Sequence, residues 1–114
     1  MRWSVVFPIF LITFVGFLAA QEADAPRLKT VEPSTGKAGD VLTVGGENIE
    51  KKNVPELYLT DGSNDLKVEV IEQSASEIKF KIPSKAKPGR YSLMILTGGR
   101  EPRLLEQPVK VTVE

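Results

Sequence analysis

The chain has 114 residues, with 15 Lys or Arg against 15 Asp or Glu and neither histidine nor cysteine. A formal net charge of zero argues against a general nucleic-acid binder, which needs a basic balance or a basic face. The missing imidazoles and thiols take away the commonest general base, the strongest nucleophile and any disulfide staple, so the fold must rest on its core alone.

At the start, Arg2 precedes the uncharged apolar run "VVFPIFLITFVGFL", and the small, acidic "AAQEADAP" follows. A positive start, a short apolar centre and small residues behind it are the layout of a secretory signal peptide. The expected organisation is a signal peptide over 1–20, a disordered linker over 21–27 and one domain over 28–114. Cleavage is placed after Ala20, because the alternative after Ala25 is followed directly by Pro26. The expected location is secreted, periplasmic or cell-surface, and membrane attachment is expected only through an uncleaved leader. A secreted chain without cysteine suits a bacterial envelope.

Beyond the leader, apolar and polar residues alternate in short runs. Leu28 and Val31 are three apart, which predicts a bend or bulge as the first strand passes between sheet edges. "VEPSTGKAGDVLTVGGENI" then sets Pro33 at the end of that strand and places Gly36 and Gly39 where the chain reverses. Leu42 and Val44 enter the core, Gly45 and Gly46 permit a bend, and Ile49 plugs the end. "ELYLT" points Leu57 and Leu59 inward, and "DLKVEV" does the same with Leu66, Val68 and Val70. "SEIKFKIP" contributes Ile78, Phe80 and Ile82, "RYSLMILT" contributes Tyr91, Leu93 and Ile95, and "PVKVTVE" contributes Val109, Val111 and Val113. About seven strands with this period of two, punctuated by "TDGSND", "PSKAKPGR" and "TGGR", predict an all-β, two-sheet antiparallel sandwich.

The order of Pro33, Gly36, Gly39, an alternating strand, Gly46, Asn48 and then an apolar plug resembles the IPT/TIG family, an immunoglobulin-like domain shared by plexins and some transcription factors. "SASEIKFKIPSKAKPGRYSLMILTGG" is similar to that family's later half, where a strand ends in proline and a glycine-tyrosine pair opens the next. Ile49 stands where the family usually has phenylalanine. The resemblance covers roughly 28–114 and implies the immunoglobulin-like sandwich; it implies no single function, since members serve in receptors, transcription factors, carbohydrate-handling enzymes and bacterial surface proteins.

The chemistry in the sequence is sparse. "STGK" and "SKAK" match a Ser-x-x-Lys pattern, but both lie in predicted turns without partner motifs, so no enzyme is expected. No cofactor is expected. Asp61, Ser63 and Asp65 alternate like the ligands of a calcium loop, but Leu66 stands where such a loop needs glycine. The competing reading is a hairpin turn capped by its own side chains. Lys79 and Lys81, with Lys85, Lys87 and Arg90 nearby, form the one basic cluster, read either as a solvated row or as a site for acidic polymers. If Leu57, Leu59, Tyr91, Leu93 and Ile95 face inward, then Tyr58, Met94 and Leu96 share one outer face. That face is a contact surface unless Leu104 and Leu105 fold over it. The expected function is a secreted or envelope-associated non-enzymatic interaction module acting through that outer sheet face or the loop tips. Its expected partner is an envelope protein or a second copy, as in a structural homodimer. The alternative is a carbohydrate-associated accessory domain, with Tyr58 as its only candidate stacking platform.

Overall fold

The computed structural model describes residues 25–114; the expected leader and most of the expected linker lie outside the described residues. The chain forms β1 (Arg27–Glu32), β2 (Thr35–Gly36), β3 (Val41–Glu47), β4 (Glu56–Thr60), β5 (Asp65–Lys67), β6 (Glu69–Gln73), β7 (Glu77–Lys81), β8 (Gly89–Leu96) and β9 (Leu104–Val113). One sheet has the order β1-β3-β7-β6, the other β2-β9-β8-β4-β5. Their inner faces close on Leu42, Val44, Leu57, Leu59, Ile78, Phe80, Leu93, Ile95 and Val111, all fully buried. The expected alternation therefore places the core correctly, and Ile49 plugs one end with no exposed surface.

The strand count differs from the expected seven because the chain changes sheets within two of the expected strands. β1 pairs antiparallel with β3, whereas β2, beyond Pro33, pairs parallel with β9. The sandwich is therefore not purely antiparallel. Likewise, "DLKVEV" divides at Val68: β5 pairs with β4 in one sheet and β6 pairs with β7 in the other. Val68 is buried at the crossing, and its amide donates to the Leu57 carbonyl at 3.0 Å. Both sheets turn their inner faces toward one core, so alternation continues unbroken through a change of sheet. The bulge expected near the first strand lies between Leu28 and Thr30.

Two glycine assignments change. Gly39, at φ 93, does serve the reversal, but Gly36 lies in β2 and is buried. Gly45 and Gly46 do not bend the chain either; they lie inside β3, opposite Thr30 and Leu28. A Cβ on Gly46 would stand 2.2 Å from the Arg27 carbonyl oxygen, so the bulged β1 can approach only a residue without a side chain. The turn itself falls to Asn48, at φ 57.

Polar side chains close the ends. Gln107, buried in β9, accepts the Leu28 amide at 2.9 Å and ties the bulge to the opposite sheet. Gln73 donates to the carbonyls of Ile49 and Val54, both at 2.9 Å, and holds the plug. The Tyr91 hydroxyl donates to the Lys87 carbonyl at 2.8 Å and accepts the Lys87 amide at 3.2 Å. That arrangement is a tyrosine corner, which locks the loop into β8.

Candidate binding face

The outer face of the five-stranded sheet carries the residues that alternation assigns to it. Tyr58 on β4 stands directly opposite Met94 on β8, and Glu56 stands opposite Leu96. On the far side of β8, Leu104 of β9 stands opposite Leu96. Tyr58, Met94 and Leu96 thus share one face, though they are less open than expected. Met94 retains 8% of its surface, and Tyr58 and Leu96 are half-buried. The segment around Leu104 and Leu105 does not fold over them. It forms the first part of β9 and lengthens the strip sideways, leaving Leu104 49% exposed.

Glu56 sets the posture of Tyr58. Two positions apart on one strand, they lie on the same face, and the Tyr58 hydroxyl donates to Glu56 Oε1. Lys67, opposite Tyr58 on β5, holds Glu56 Oε2 at 3.2 Å. The hydroxyl donation, helped by Lys67, holds the Glu56 carboxyl below its ordinary value. The same hydrogen bond, with some burial, raises the phenol of Tyr58. The ring is therefore fixed between Met94 and a balanced ion pair, which reduces the conformational entropy that contact with a partner would cost.

The other candidates lie elsewhere. Asp61 Oδ1 accepts the amides of Ser63 at 2.8 Å and Asn64 at 2.7 Å, and these bonds lower its carboxyl below the ordinary value. Its lone pairs serve the hairpin turn, while Asp65 belongs to β5. Among the described residues, no cluster of three or more carboxylates could hold a metal ion. Lys79 and Lys81 point outward from β7 on the four-stranded sheet, but β6 sets acids beside them. Glu72 lies opposite Lys79 with an N–O distance of 4.0 Å, and Glu69 lies opposite Lys81. Lys85, Lys87 and Arg90 line an open cleft at one end of the sandwich together with Asp61 and Asp65. The expected basic cluster is thus interleaved with acids and divided between two places.

Sequence reasoning overlooked Glu56, Lys67 and two residues of β9, Glu106 opposite Met94 and Lys110 opposite Ser92, whose hydroxyl accepts the Lys110 ammonium at 2.7 Å. Glu56 was within reach, since residues two apart in a strand share a face. The others become neighbours of the strip only through strand pairing.

Comparison with solved structures finds the same sandwich in larger proteins. A Bacteroides thetaiotaomicron protein of unknown function matches at 19% identity and a TM-score of 0.65, over 78% of this chain and 22% of that one. An auxiliary nutrient binding protein from the same organism matches at 22% identity and a TM-score of 0.56, over 78% of this chain and 21% of that one. SGBP-B of the Bacteroides ovatus mixed-linkage glucan utilization locus, solved with a mixed-linkage heptasaccharide, matches at 22% identity and a TM-score of 0.52, over 75% of this chain and 22% of that one. This chain spans about a fifth of the length of these structures, and at such identities the likeness is one of fold. No curated protein sequence matches. The family model for the IPT/TIG domain matches residues 26–113.

Proposed function

This chain belongs to the IPT/TIG domain family, and we propose that it is a non-enzymatic interaction module of a bacterial envelope, working through the outer face of its five-stranded sheet. The observation that carries this reading is the strip of Tyr58, Met94, Leu96 and Leu104, brought together by strand register on one outer face, where Met94 is buried and Tyr58, Leu96 and Leu104 supply the accessible surface. Contiguous apolar surface on a rigid sheet is the usual mark of a contact site. The signal-like leader and the Bacteroides nutrient-binding neighbours support the envelope setting.

The test is capture from an envelope extract by the tagged chain beside a Tyr58→Lys/Leu96→Glu double variant. A partner held by the native chain and lost by the variant supports the reading. Equal capture by both moves the contact to the loop tips or to the Lys79–Lys81 face.

A second reading, glycan binding, draws on one feature of the same face. The Tyr58 ring is immobilised and flanked by a carboxylate and an ammonium, the groups that stack on and hydrogen-bond a sugar ring. A neighbour solved with a heptasaccharide supports it. Retardation in a gel containing mixed-linkage glucan, abolished by Tyr58→Ala, would establish it; unaltered migration of the native chain would remove it.

A further inference from the structure

Strand register arranges the outer face into two rows that cross β9, β8, β4 and β5. The first row reads Glu106, Met94, Tyr58, Lys67. The second reads Lys110, Ser92, Thr60, Asp65. Each row has opposite charges at its two exposed ends and uncharged residues between them, and the sign reverses from one row to the next. Consider a two-fold axis lying over the face, between β8 and β4 and nearly parallel to the strands. It exchanges β9 with β5 and β8 with β4. Glu106 of one copy then meets Lys67 of the other, and Lys110 meets Asp65. Met94 then lies over Tyr58 and Ser92 over Thr60, and no like charges coincide in either row. Met94, Ser92 and Thr60 are buried within each copy, so the contact falls on Tyr58 and the exposed charged row ends.

We propose that the occupant of this face is a second copy of the chain, docked sheet on sheet about that axis. The proposal rests on the reading of the face as an interaction surface and names its partner. An isologous contact must be self-complementary, and both rows meet that condition independently. Among the described residues, Glu106, Asp65 and Lys110 enter no ion pair within the chain. The Lys110 ammonium donates to Ser92 Oγ at 2.7 Å in its own row and keeps further donors for a carboxylate. The outer face of the four-stranded sheet offers less, because Lys29 with Glu47 and Lys79 with Glu72 already pair there.

Leu96 would cover Glu56 of the other copy, whose charge Lys67 and Tyr58 already balance. Four strands at about 4.8 Å spacing, each contributing about five residues, give a footprint of roughly 19 by 17 Å. Such a contact falls at the small, weak end of specific interfaces. Association is therefore expected to depend on concentration and to weaken with salt.

The test is sedimentation equilibrium on the full chain, expressed with its leader and purified as the cell leaves it. Circular dichroism establishes that each variant is folded. The native chain is expected to dimerise reversibly, and Leu96→Glu to raise the dissociation constant at least about tenfold. Lys110→Asp or Asp65→Lys alone is expected to raise it about fivefold, since symmetry places each pair in the interface twice. The double reversal is expected to restore the native value. Within one copy these two residues lie three strand spacings apart, about 14 Å, too far for direct pairing. Rescue therefore reports a contact between copies.

A chain that stays monomeric at about 1 mM, a dimer indifferent to Leu96→Glu, or single reversals without rescue would each overturn the proposal. The capture experiment separates the two levels. If the chain is monomeric but the native face captures another protein, self-pairing fails and the interaction reading stands. If neither occurs, both fail.

Discussion

On the four-stranded sheet, the outward residues of β7 and β6 answer one another by charge, Lys79 with Glu72 and Lys81 with Glu69. On the five-stranded sheet, the equivalent central positions hold Tyr58 opposite Met94, with Glu106 and Lys67 at the ends of that row and Glu56 on β4 bound to Lys67. Both faces arise from one alternating pattern over one shared core. The first pairs Lys79 with Glu72 and Lys29 with Glu47 and sets Glu69 beside Lys81, so its charges lie next to opposite charges and face water. The second keeps uncharged residues at the centre of its two rows and charges at their ends, the arrangement of a contact surface with a polar rim. Counting lysines along β7 would have chosen the first face as the site; cross-strand pairing chooses the second.

The largest expected effect tests whether the two sheets fold as one unit. Gly46→Ala drives a Cβ into the Arg27 carbonyl and should cost about 3 kcal/mol in denaturant unfolding. If the sheets are coupled, the transition remains single and simply moves to lower denaturant. Tyr91→Phe should cost about 1–2 kcal/mol by opening the corner bonds to Lys87 while leaving the outer strip in place. Capture by the outer face should persist in that variant.

A smaller effect concerns charge on the strip. The raised phenol of Tyr58 should titrate, by absorbance near 295 nm, at higher pH than a free tyrosine, and Glu56→Gln should bring it down. The sign follows from the direction of the shift. A raised acid stabilises the fold fully below the ordinary tyrosine pKa, and that contribution is lost as pH rises through the folded value. Glu56 works in the opposite sense: its contribution is present above the ordinary carboxylate range and is lost as pH falls through its lowered folded value.

Lys79→Ala should change stability by less than about 0.5 kcal/mol and leave capture intact, since its pair with Glu72 is solvated. A marked loss of binding in that variant would move the site to the four-stranded sheet. Calcium should leave the melting temperature unmoved, because the Asp61 carboxylate already serves the loop amides. A rise in melting temperature would restore the metal reading of Asp61, Ser63 and Asp65.

By itself, the sequence determined which side of each strand faces inward. Phe80, Leu93, Val111 and the Ile49 plug could be read directly, because inward and outward alternate locally with a period of two. The outward position of Tyr58, Met94 and Leu96 followed from the same rule. Alternation says inside or outside, however, and does not say which sheet. The division of "DLKVEV" between β5 and β6 and the transfer from β1 to β2 leave the pattern unchanged, since both sheets enclose one core. Gly46 looked like a bend and is a point of close backbone approach, a condition imposed by Arg27 nineteen positions away. Pairing across the sheet also decided which lysines met carboxylates and which charges framed the strip. Register is a property of two strands at once, so only the tertiary structure could align Glu106, Met94, Tyr58 and Lys67 in one row.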